Sequence, residues 1–237
     1  MDQAKGFVAL GLFKDYEEIR NSPKQEFKYT KDLNNHKKDE VYELMPGDIK
    51  YKDVNGDGII DDADKVAIGA TTKPNLIYGF GVSAKWKGLD VNVHFQGAGK
   101  STFQINGTTV YMFSGGDGWG NVLKEMAEGN RWILGENEDP HAEFPRLTYG
   151  ENPNNYQTSS YWLRNGSYMR LKTLDIGYSL PKPLVNKMHL NQVRIFFVGT
   201  NLLTFSNFKL WDPEMGSSDG KKYPLSKTFS LGLSVNL

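Results

Sequence analysis

The sequence predicts an all-β fold: a segment of an antiparallel transmembrane β-barrel, with about six strands and long external loops. Three observations support this prediction. Apolar and polar residues alternate with a period of two along several segments. These segments last about 9 to 12 residues, which is long enough to cross a bilayer and exceeds the ~5–6 residues of an average soluble strand. The connections between them are very unequal in length, and transmembrane barrels typically alternate short turns with long loops.

Composition narrows the class of protein. The chain has 237 residues, no cysteine, and 28 basic against 28 acidic residues. A neutral chain gives no electrostatic reason to expect nucleic acid as a partner, and the lack of cysteine excludes disulfides and thiolate metal sites. No apolar run approaches the ~20 residues of a transmembrane helix. The N-terminus does not have the order of a signal peptide, so we expect either a cytosolic protein or a piece of a longer, processed chain.

The clearest predicted strands form a hairpin and a C-terminal strand. Residues 76–86 and 89–97 alternate on either side of Lys87-Gly88, a two-residue turn in which Gly88 can supply a positive φ. Residues 229–237 place Phe, Leu and Val on one face and Ser, Gly and Asn on the other. We expect the polar face to line a lumen. In the second hairpin strand the lumen-facing residues are Asp90, Asn92, His94 and Gln96.

Three further segments fit the strand pattern less cleanly. Residues 191–203 carry apolar side chains on both faces. Within residues 168–180 the apolar parity changes, which predicts a β-bulge near Lys172–Thr173. Residues 6–13 are apolar throughout, and we expect them to be the end of a strand whose start is missing.

Strand order predicts the direction of each strand. If the last strand ends in the periplasm, every long connection lies outside and every short turn lies inside. The long connections cover residues 14–75, 97–167 and 205–225, and the second leaves room for a further strand pair around residues 101–113. Six strands leave two open edges, which a bilayer does not tolerate, so such a segment needs the rest of a barrel.

One loop, residues 53–64, has the oxygen-donor spacing of an EF-hand calcium loop. Donors occupy its first, third, fifth, ninth and twelfth positions, and Gly58 sits where the loop must turn sharply. The candidate metal ligands are Asp53, Asn55, Asp57, Asp61 and Asp64, with Ile59 contributing its carbonyl. The expected role is a structural Ca²⁺ that stiffens an external loop. The helical flanks of an EF-hand are missing, and a turn rich in Asp, Asn and Gly with solvated charges is the alternative.

Several stretches occur together and in a specific order. They include "PGDIKYKDVNGDGIID", "SYWLRNGSYMRLKTLDIGYSLP" and "YPLSKTFSLGLSVNL". Over nearly its whole length the chain resembles the C-terminal part of SusC/RagA-type TonB-linked (TonB-dependent) outer-membrane transporters. That resemblance implies a large, roughly 22-stranded barrel with an N-terminal plug. It also implies import of glycan fragments or peptides, driven by TonB, with a SusD-like surface lipoprotein as the external lid.

The resemblance also implies location and partners. The chain is expected in the outer membrane, with long loops extracellular and the C-terminus periplasmic. The expected partners are a SusD-like lipoprotein, outer-membrane lipid, an oligosaccharide or peptide substrate, and TonB through a missing N-terminal part. Residues 1–237 are expected to be one incomplete barrel domain, with the calcium-type loop inside an extracellular loop. Leu237 departs from the family, which more often ends in an aromatic residue.

The alternative is a secreted, calcium-stabilised β-sandwich that binds glycans. It explains the loop aromatics, but it does not explain apolar strand faces of this length. Those aromatics, which we expect to fill loop cores or form an interfacial girdle, are Trp119, Trp132, Tyr161 and Trp162. The carboxylates of Glu136, Glu138 and Asp139 have no orienting partner in the sequence, so no catalytic residues are assigned and no enzyme activity is expected.

Overall fold

The computed structural model describes residues 3–32, 35–115 and 119–236. Its elements are mostly β-strands, and the chain divides into two compact units. Unit 1 comprises Met1–Thr72, Thr102–Arg164 and Ser217–Lys221, and unit 2 comprises Lys73–Ser101, Asn165–Gly216 and Lys222–Leu237. Within the described residues, no helix is both long enough and apolar enough to span a membrane.

The described residues form strands and short helices with the following bounds. The strands are β1 (Gln3–Gly6), β2 (Ala9–Leu12), β3 (Lys24–Gln25), β4 (Ile49–Tyr51), β5 (Ile59–Ile60), β6 (Val66–Thr71), β7 (Leu76–Trp86), β8 (Leu89–Gly99), β9 (Thr102–Gln104), β10 (Leu163–Asn165), β11 (Tyr168–Ser179), β12 (Gln192–Ser206) and β13 (Thr228–Asn236). The α-helices are α1 (Tyr16–Arg20), α2 (Lys124–Ala127) and α3 (Lys182–Lys187). Short 3₁₀ turns cover Asp62–Asp64, Ser160–Trp162 and Pro213–Met215.

Unit 2 is built on one antiparallel sheet of five strands in the order β13-β12-β11-β8-β7. Its register pairs Val82 with Val93 across β7 and β8, and Ile176 with Phe197 across β11 and β12. Because side chains on a strand alternate between faces, this register gathers most apolar residues of the five strands on one face, whereas Phe196 and Val198 of β12 lie on the other. The predicted strands 76–86, 89–97, 168–180, 191–203 and 229–237 are confirmed within a few residues at their ends.

Two local features of this sheet confirm the sequence predictions. Lys87 and Gly88 both have positive φ, 45° and 89°, as the tight turn between β7 and β8 requires. The register of β11 shifts between Leu171 and Thr173 against both of its neighbours. The bulge lets the apolar parity change along β11 while its apolar residues stay on the common face.

The apolar face of the five-stranded sheet is exposed. Val82 is 68%, Phe229 67% and Leu231 81% exposed. The opposite face carries the paired charges of Arg194, Asp90 and Asp175. The sheet therefore has one apolar face and one face that carries the charged residues together with a few apolar ones, as the alternation predicts.

Long connections lie at one end of the five-stranded sheet and short connections lie at the other. Leu76 pairs with Gly99, and Tyr168 pairs with both Ala98 and Ser206, so these residues share one end of the sheet. The long segments 100–167 and 207–227 connect strands at this end. At the other end, Lys87-Gly88 and the short segment that contains α3 make the turns. The predicted asymmetry of connections is confirmed.

The prediction for residues 6–13 is wrong. This segment is not a sixth strand of the sheet but belongs to unit 1, where β1 pairs with β6 and β2 pairs with β4. Between β1 and β2 the backbone forms a hydrogen bond to a distant loop: the Phe7 amide donates to the Thr158 carbonyl at 2.9 Å. Phe7, Leu12 and Phe13 are buried, so the segment is apolar throughout because it enters a core, not because it ends a barrel strand.

The rest of unit 1 is loop-rich but has a core of its own. Phe7 and Tyr51 pack with ring centroids 5.0 Å apart, and Tyr111 stacks on Tyr156 at 4.3 Å. Trp162 is fully buried. Within residues 97–167, the only strands that the described part of the chain forms beyond the end of β8 are the three-residue β9 and β10, which pair with each other. No long additional hairpin lies around residues 101–113.

Candidate functional site: a cation-type loop and a buried polar network

The cation-type loop, residues 53–64, lies between β4 and β6 in unit 1. Its middle is held by β5, which pairs in parallel with β3. The Lys24 amide also donates to the Gly58 carbonyl at 2.9 Å. Gly56 and Gly58 both have positive φ, 80° and 84°, so the backbone makes the sharp turn predicted at Gly58.

Asp64, at the twelfth position, ties the start of the loop to its end. One carboxylate oxygen accepts from the Val54 amide at 2.7 Å, and the other accepts from the Asp61 amide at 3.0 Å. The side chain is fully buried. Burial acts to raise the pKa of the Asp64 carboxyl, but these backbone donors outweigh burial and hold the pKa below its usual value. Asp64 is therefore a buried, ionised carboxylate that holds the start and the end of the loop together.

The other donors bind backbone amides of the loop itself. Asp53 accepts from the amides of Gly56 and Gly58 at 2.6 and 2.8 Å. Asp57 accepts from the Ile59 amide at 2.9 Å and from the Asn55 side-chain amide at 2.9 Å. These are short-range turns closed by Asp and Asn side chains, which order the loop.

The structure brings some of the predicted ligands together. Asp61 and Asp64 form a reciprocal capping box at the 3₁₀ turn, and Asn55 touches Asp57. In the described ranges, no three His, Cys, Asp or Glu side chains converge as a metal site. The donor chemistry suits a hard cation, whereas the carboxylates are directed at amides of the loop. Calcium binding stays a prediction.

A buried polar network in unit 1 was not predicted from the sequence. Its centre is Asp48, which is fully buried and accepts from Arg146 Nε at 2.9 Å, from the Tyr42 hydroxyl at 3.0 Å and from Asn155 Nδ2 at 2.9 Å. Arg146 also donates to the Tyr42 hydroxyl at 2.6 Å. The Asp48 carboxylate thus accepts hydrogen bonds from three separate segments of the chain.

Burial and charge fix the protonation of this network. Burial raises the pKa of the Tyr42 hydroxyl far above its usual value, and the Asp48 charge adds to that shift. Burial acts to lower the pKa of the Arg146 guanidinium, but the facing Asp48 carboxylate outweighs it and the pKa is raised. Tyr42 therefore stays a neutral hydrogen-bonding group beside a charged arginine.

A second cluster docks the Asn152–Tyr156 segment onto β4. Gln25 donates to the Asn154 side chain at 2.7 Å and accepts from the Tyr51 amide at 2.7 Å. Asn154 Nδ2 in turn donates to the Ile49 carbonyl at 2.9 Å. The run of Asn residues is the one signal that the sequence offers. Such a run predicts only a turn, because its partners lie far away along the chain.

Most of the other residues singled out from the sequence fill loop cores or close turns in the described part of the chain. Trp132 and Trp162 are buried in loop cores, as expected, whereas Trp119 is 77% exposed. Glu138 accepts from the Gly135 amide and Asp139 from the His141 amide, so these carboxylates close turns.

The polar face of the sheet carries its own ion-pair cluster. Arg194 on β12 reaches Asp175 on β11 at 2.8 Å and Asp90 on β8 at 2.5 Å. Gly177 makes this possible, because a Cβ at that position would overlap the Arg194 guanidinium. The charges on this face are thus paired across three strands. A polar face of paired charges behind an exposed apolar face defines a wall segment of a transmembrane β-barrel.

Comparisons with known proteins agree with that class. No family model matches the chain. The chain is 34% identical over 206 residues to TonB-dependent receptor P26 of Formosa agariphila, with 80% of this chain and 19% of the relative covered. It is 24% identical over 189 residues to TonB-dependent receptor SusC of Bacteroides thetaiotaomicron, with 78% and 17% covered. Its fold is similar to that of the RagAB peptide importer in the 'closed-closed' state, with a TM-score of 0.65 at 21% identity, over 99% of this chain and 23% of that one.

The chain belongs to the SusC/RagA-type TonB-dependent receptors. It spans about a fifth of the length of the curated relatives that it matches. Proteins of this class reside in the outer membrane.

Proposed function

We propose that the chain is the C-terminal part of an outer-membrane importer that takes up glycan fragments or peptides, driven by TonB. The observation that carries the proposal is the five-stranded sheet with an exposed, wholly apolar face and a polar face behind it. Soluble proteins rarely leave so large an apolar surface uncovered, whereas a barrel wall presents such a face to lipid. A secreted β-sandwich would need a second sheet over this face, so its exposure favours the barrel.

We propose that the long connections are extracellular and the C-terminus is periplasmic. Connection lengths support this orientation, since outer-membrane barrels place short turns in the periplasm. Trp86 and Tyr178 lie at the short-turn end of the sheet and are 69% and 41% exposed. The Lys87 amine lies 4.9 Å from the centroid of the Trp86 ring. Exposed aromatic residues beside a cation suit the boundary between lipid and water.

The proposal includes partners and cargo. The relatives named SusC and RagAB support a SusD-like lipoprotein at the external loops, and RagAB is named as a peptide importer. Unit 1 supports a role in binding because its loops have a core and a buried polar network. A loop region fixed in this way presents a defined surface, which lowers the entropy lost on binding. TonB acts through residues outside this chain, and transport rather than catalysis is the proposed activity.

Removal of the last strand tests the proposal. Deleting Phe229–Leu237 from the full-length protein removes the residues that pair with β12 from Gln192 to Gly199. We expect loss of outer-membrane assembly, because the unpaired backbone of β12 is too costly in lipid. The measurement is membrane fractionation of expressing cells. The matched control deletes Ser217–Gly220 in the long connection, which leaves every strand of the sheet intact. Normal insertion of the strand-deleted protein would contradict the barrel assignment.

We propose, second, that the cation-type loop binds a structural Ca²⁺ through Asp53, Asn55, Asp57, Asp61 and Asp64 and the Ile59 carbonyl. Donor spacing supports this proposal. Because the carboxylates already bind amides of the loop, the ion would add to existing order, and we expect weak affinity.

Thermal unfolding of the purified full-length protein with Ca²⁺ or with EDTA tests calcium binding. We expect a higher Tm with Ca²⁺, and we expect Asp53→Asn together with Asp57→Asn to abolish the difference. Asp62→Asn is the matched control, because the Asp62 side chain is 91% exposed and occupies no donor position. Equal Tm values for the unsubstituted protein in both conditions would contradict the proposal.

A further inference from the structure

The apolar face of the five-stranded sheet has a hollow at its long-connection end. Tyr78 of β7, Met169 of β11 and Phe205 of β12 line it, and its volume is about 420 Å³. These three side chains belong to the apolar face by register, since Tyr78 and Met169 both pair with Gly97 and Met169 pairs with Phe205. The hollow is therefore continuous with the apolar face that we propose contacts lipid.

A glycine of β8 explains how the Tyr78 ring reaches its place in the wall of the hollow. The last apolar-face positions of β8, which lies between β7 and β11, are Gly97 and Gly99. The Tyr78 ring lies across Gly97, where a Cβ would collide with it, and the Tyr78 hydroxyl donates to the Tyr168 carbonyl at 3.3 Å. Elsewhere on this face β8 presents Val93 and Phe95. Gly97 therefore leaves room for the Tyr78 ring, which lines the hollow together with Met169 and Phe205.

Polar groups border the hollow where the strands end. Asn165, Asn207 and Lys209 contribute to its lining. Lys209 is exposed, and none of the ion pairs among the described residues includes it. One unpaired cation and two amide side chains thus adjoin an apolar surface.

We propose that this hollow binds a phosphate-bearing acyl lipid, with its phosphate at Lys209 and an acyl chain along Tyr78, Met169 and Phe205. The inference rests on the proposed function, because it requires the apolar face to lie in a bilayer. Charge complementarity selects an anionic headgroup. Continuity with the apolar face selects an acyl lipid over a free phosphate, since aromatic and thioether walls contribute nothing to an inorganic ion.

Native mass spectrometry of the full-length protein tests the inference, with phosphatidylglycerol and phosphatidylcholine as the probes. We expect the unsubstituted protein to retain phosphatidylglycerol in preference to phosphatidylcholine. Lys209→Gln should weaken phosphatidylglycerol retention about fivefold, because one basic side chain near an anionic surface contributes about 1 kcal/mol. It should weaken phosphatidylcholine retention less, because the choline ammonium offsets the phosphate charge. Lys187→Gln, in the short connection at the other end of the sheet, is the matched control and should change neither.

A second pair of variants tests the apolar wall. Phe205→Ser should reduce retention of both lipids, whereas Leu231→Ser, on the same face of β13 but outside the hollow, should not. Equal phosphatidylglycerol retention by Lys209→Gln and the unsubstituted protein would overturn the inference. So would displacement of the lipid by inorganic phosphate together with no effect of Phe205→Ser, which would indicate a free-phosphate site.

Failure of the inference is distinguishable from failure of the proposed function. A full-length protein that inserts in the outer membrane but shows no preference for phosphatidylglycerol contradicts the lipid site alone. A protein absent from the outer membrane contradicts both, because the hollow then never meets a bilayer.

Discussion

At the residue scale, single buried carboxylates organise unit 1. Asp48 joins Tyr42, Arg146 and Asn155, and Asp64 joins the two ends of the cation-type loop. Each carboxylate lies out of water and is satisfied by several donors, so removing one partner leaves an uncompensated buried charge. These residues carry the strongest single-substitution predictions in the unit.

Arg146→Met should destabilise unit 1 by about 3–5 kcal/mol, because it leaves the Asp48 carboxylate buried without its ion-pair partner. The measurement is the rate of limited proteolysis within the loops of the full-length protein. Lys24→Met is the control: its partner Glu26 is exposed, and such surface pairs contribute about 1 kcal/mol or less. Equal proteolysis of the two variants would show that the Asp48 network does not hold the unit together.

The order of the cation-type loop should depend on pH through Asp64. The folded-state pKa of this carboxyl lies below the ordinary value of 3.8, so its contribution is present above that value and is lost as the pH falls through the folded pKa. We expect hydrogen exchange at the Val54 and Asp61 amides, corrected for intrinsic rates, to accelerate in that acid range. Asp64→Asn should show fast exchange already at neutral pH, and Asp62→Asn should not. Slow exchange at these two amides in Asp64→Asn would show that the Asp64 carboxylate does not hold the ends of the loop together.

At the element scale, the sheet of unit 2 follows from its sequence and most of unit 1 does not. A period of two specifies which residues share a face, so the hairpin at Lys87-Gly88 and the bulge between Leu171 and Thr173 were both predictable. The segment 6–13 was not, because a fully apolar run is equally compatible with a strand end and with burial in a core. The Asp48 network was also unpredictable, since its partners come together only in the folded chain.

A charge introduced on one face of β13 should destabilise the protein much more than a charge on the other face. Leu231→Arg places a cation on the apolar face and should cost about 2–4 kcal/mol of folding in lipid if the position lies near the bilayer midplane. Ser230→Arg, the neighbouring residue on the polar face, should cost little. The measurement is folding into lipid vesicles, titrated with urea. Similar costs for both variants would argue that the exposed face does not meet lipid.

At the scale of the whole molecule, the five-stranded sheet has two open edges in the described part of the chain, as expected for a segment of a larger barrel. Its sheet order β13-β12-β11-β8-β7 leaves β13 and β7 each with a neighbour on one side only within the described residues. An open edge in lipid is costly, which agrees with a chain that spans about a fifth of its curated relatives. The motif order along the sequence predicted this class, whereas the proposed cargo was not predictable in detail, because no sequence pattern specifies how a loop contacts a ligand.

The measurement that tests the central claim most directly is fractionation of the native cells, probed with an antibody against the last twenty or so residues of the chain. We expect a band far above 26.8 kDa in the outer-membrane fraction, because the five-stranded barrel wall needs the rest of a barrel to close its edges. A band near 26.8 kDa in the soluble fraction would contradict the barrel assignment and the importer proposal together.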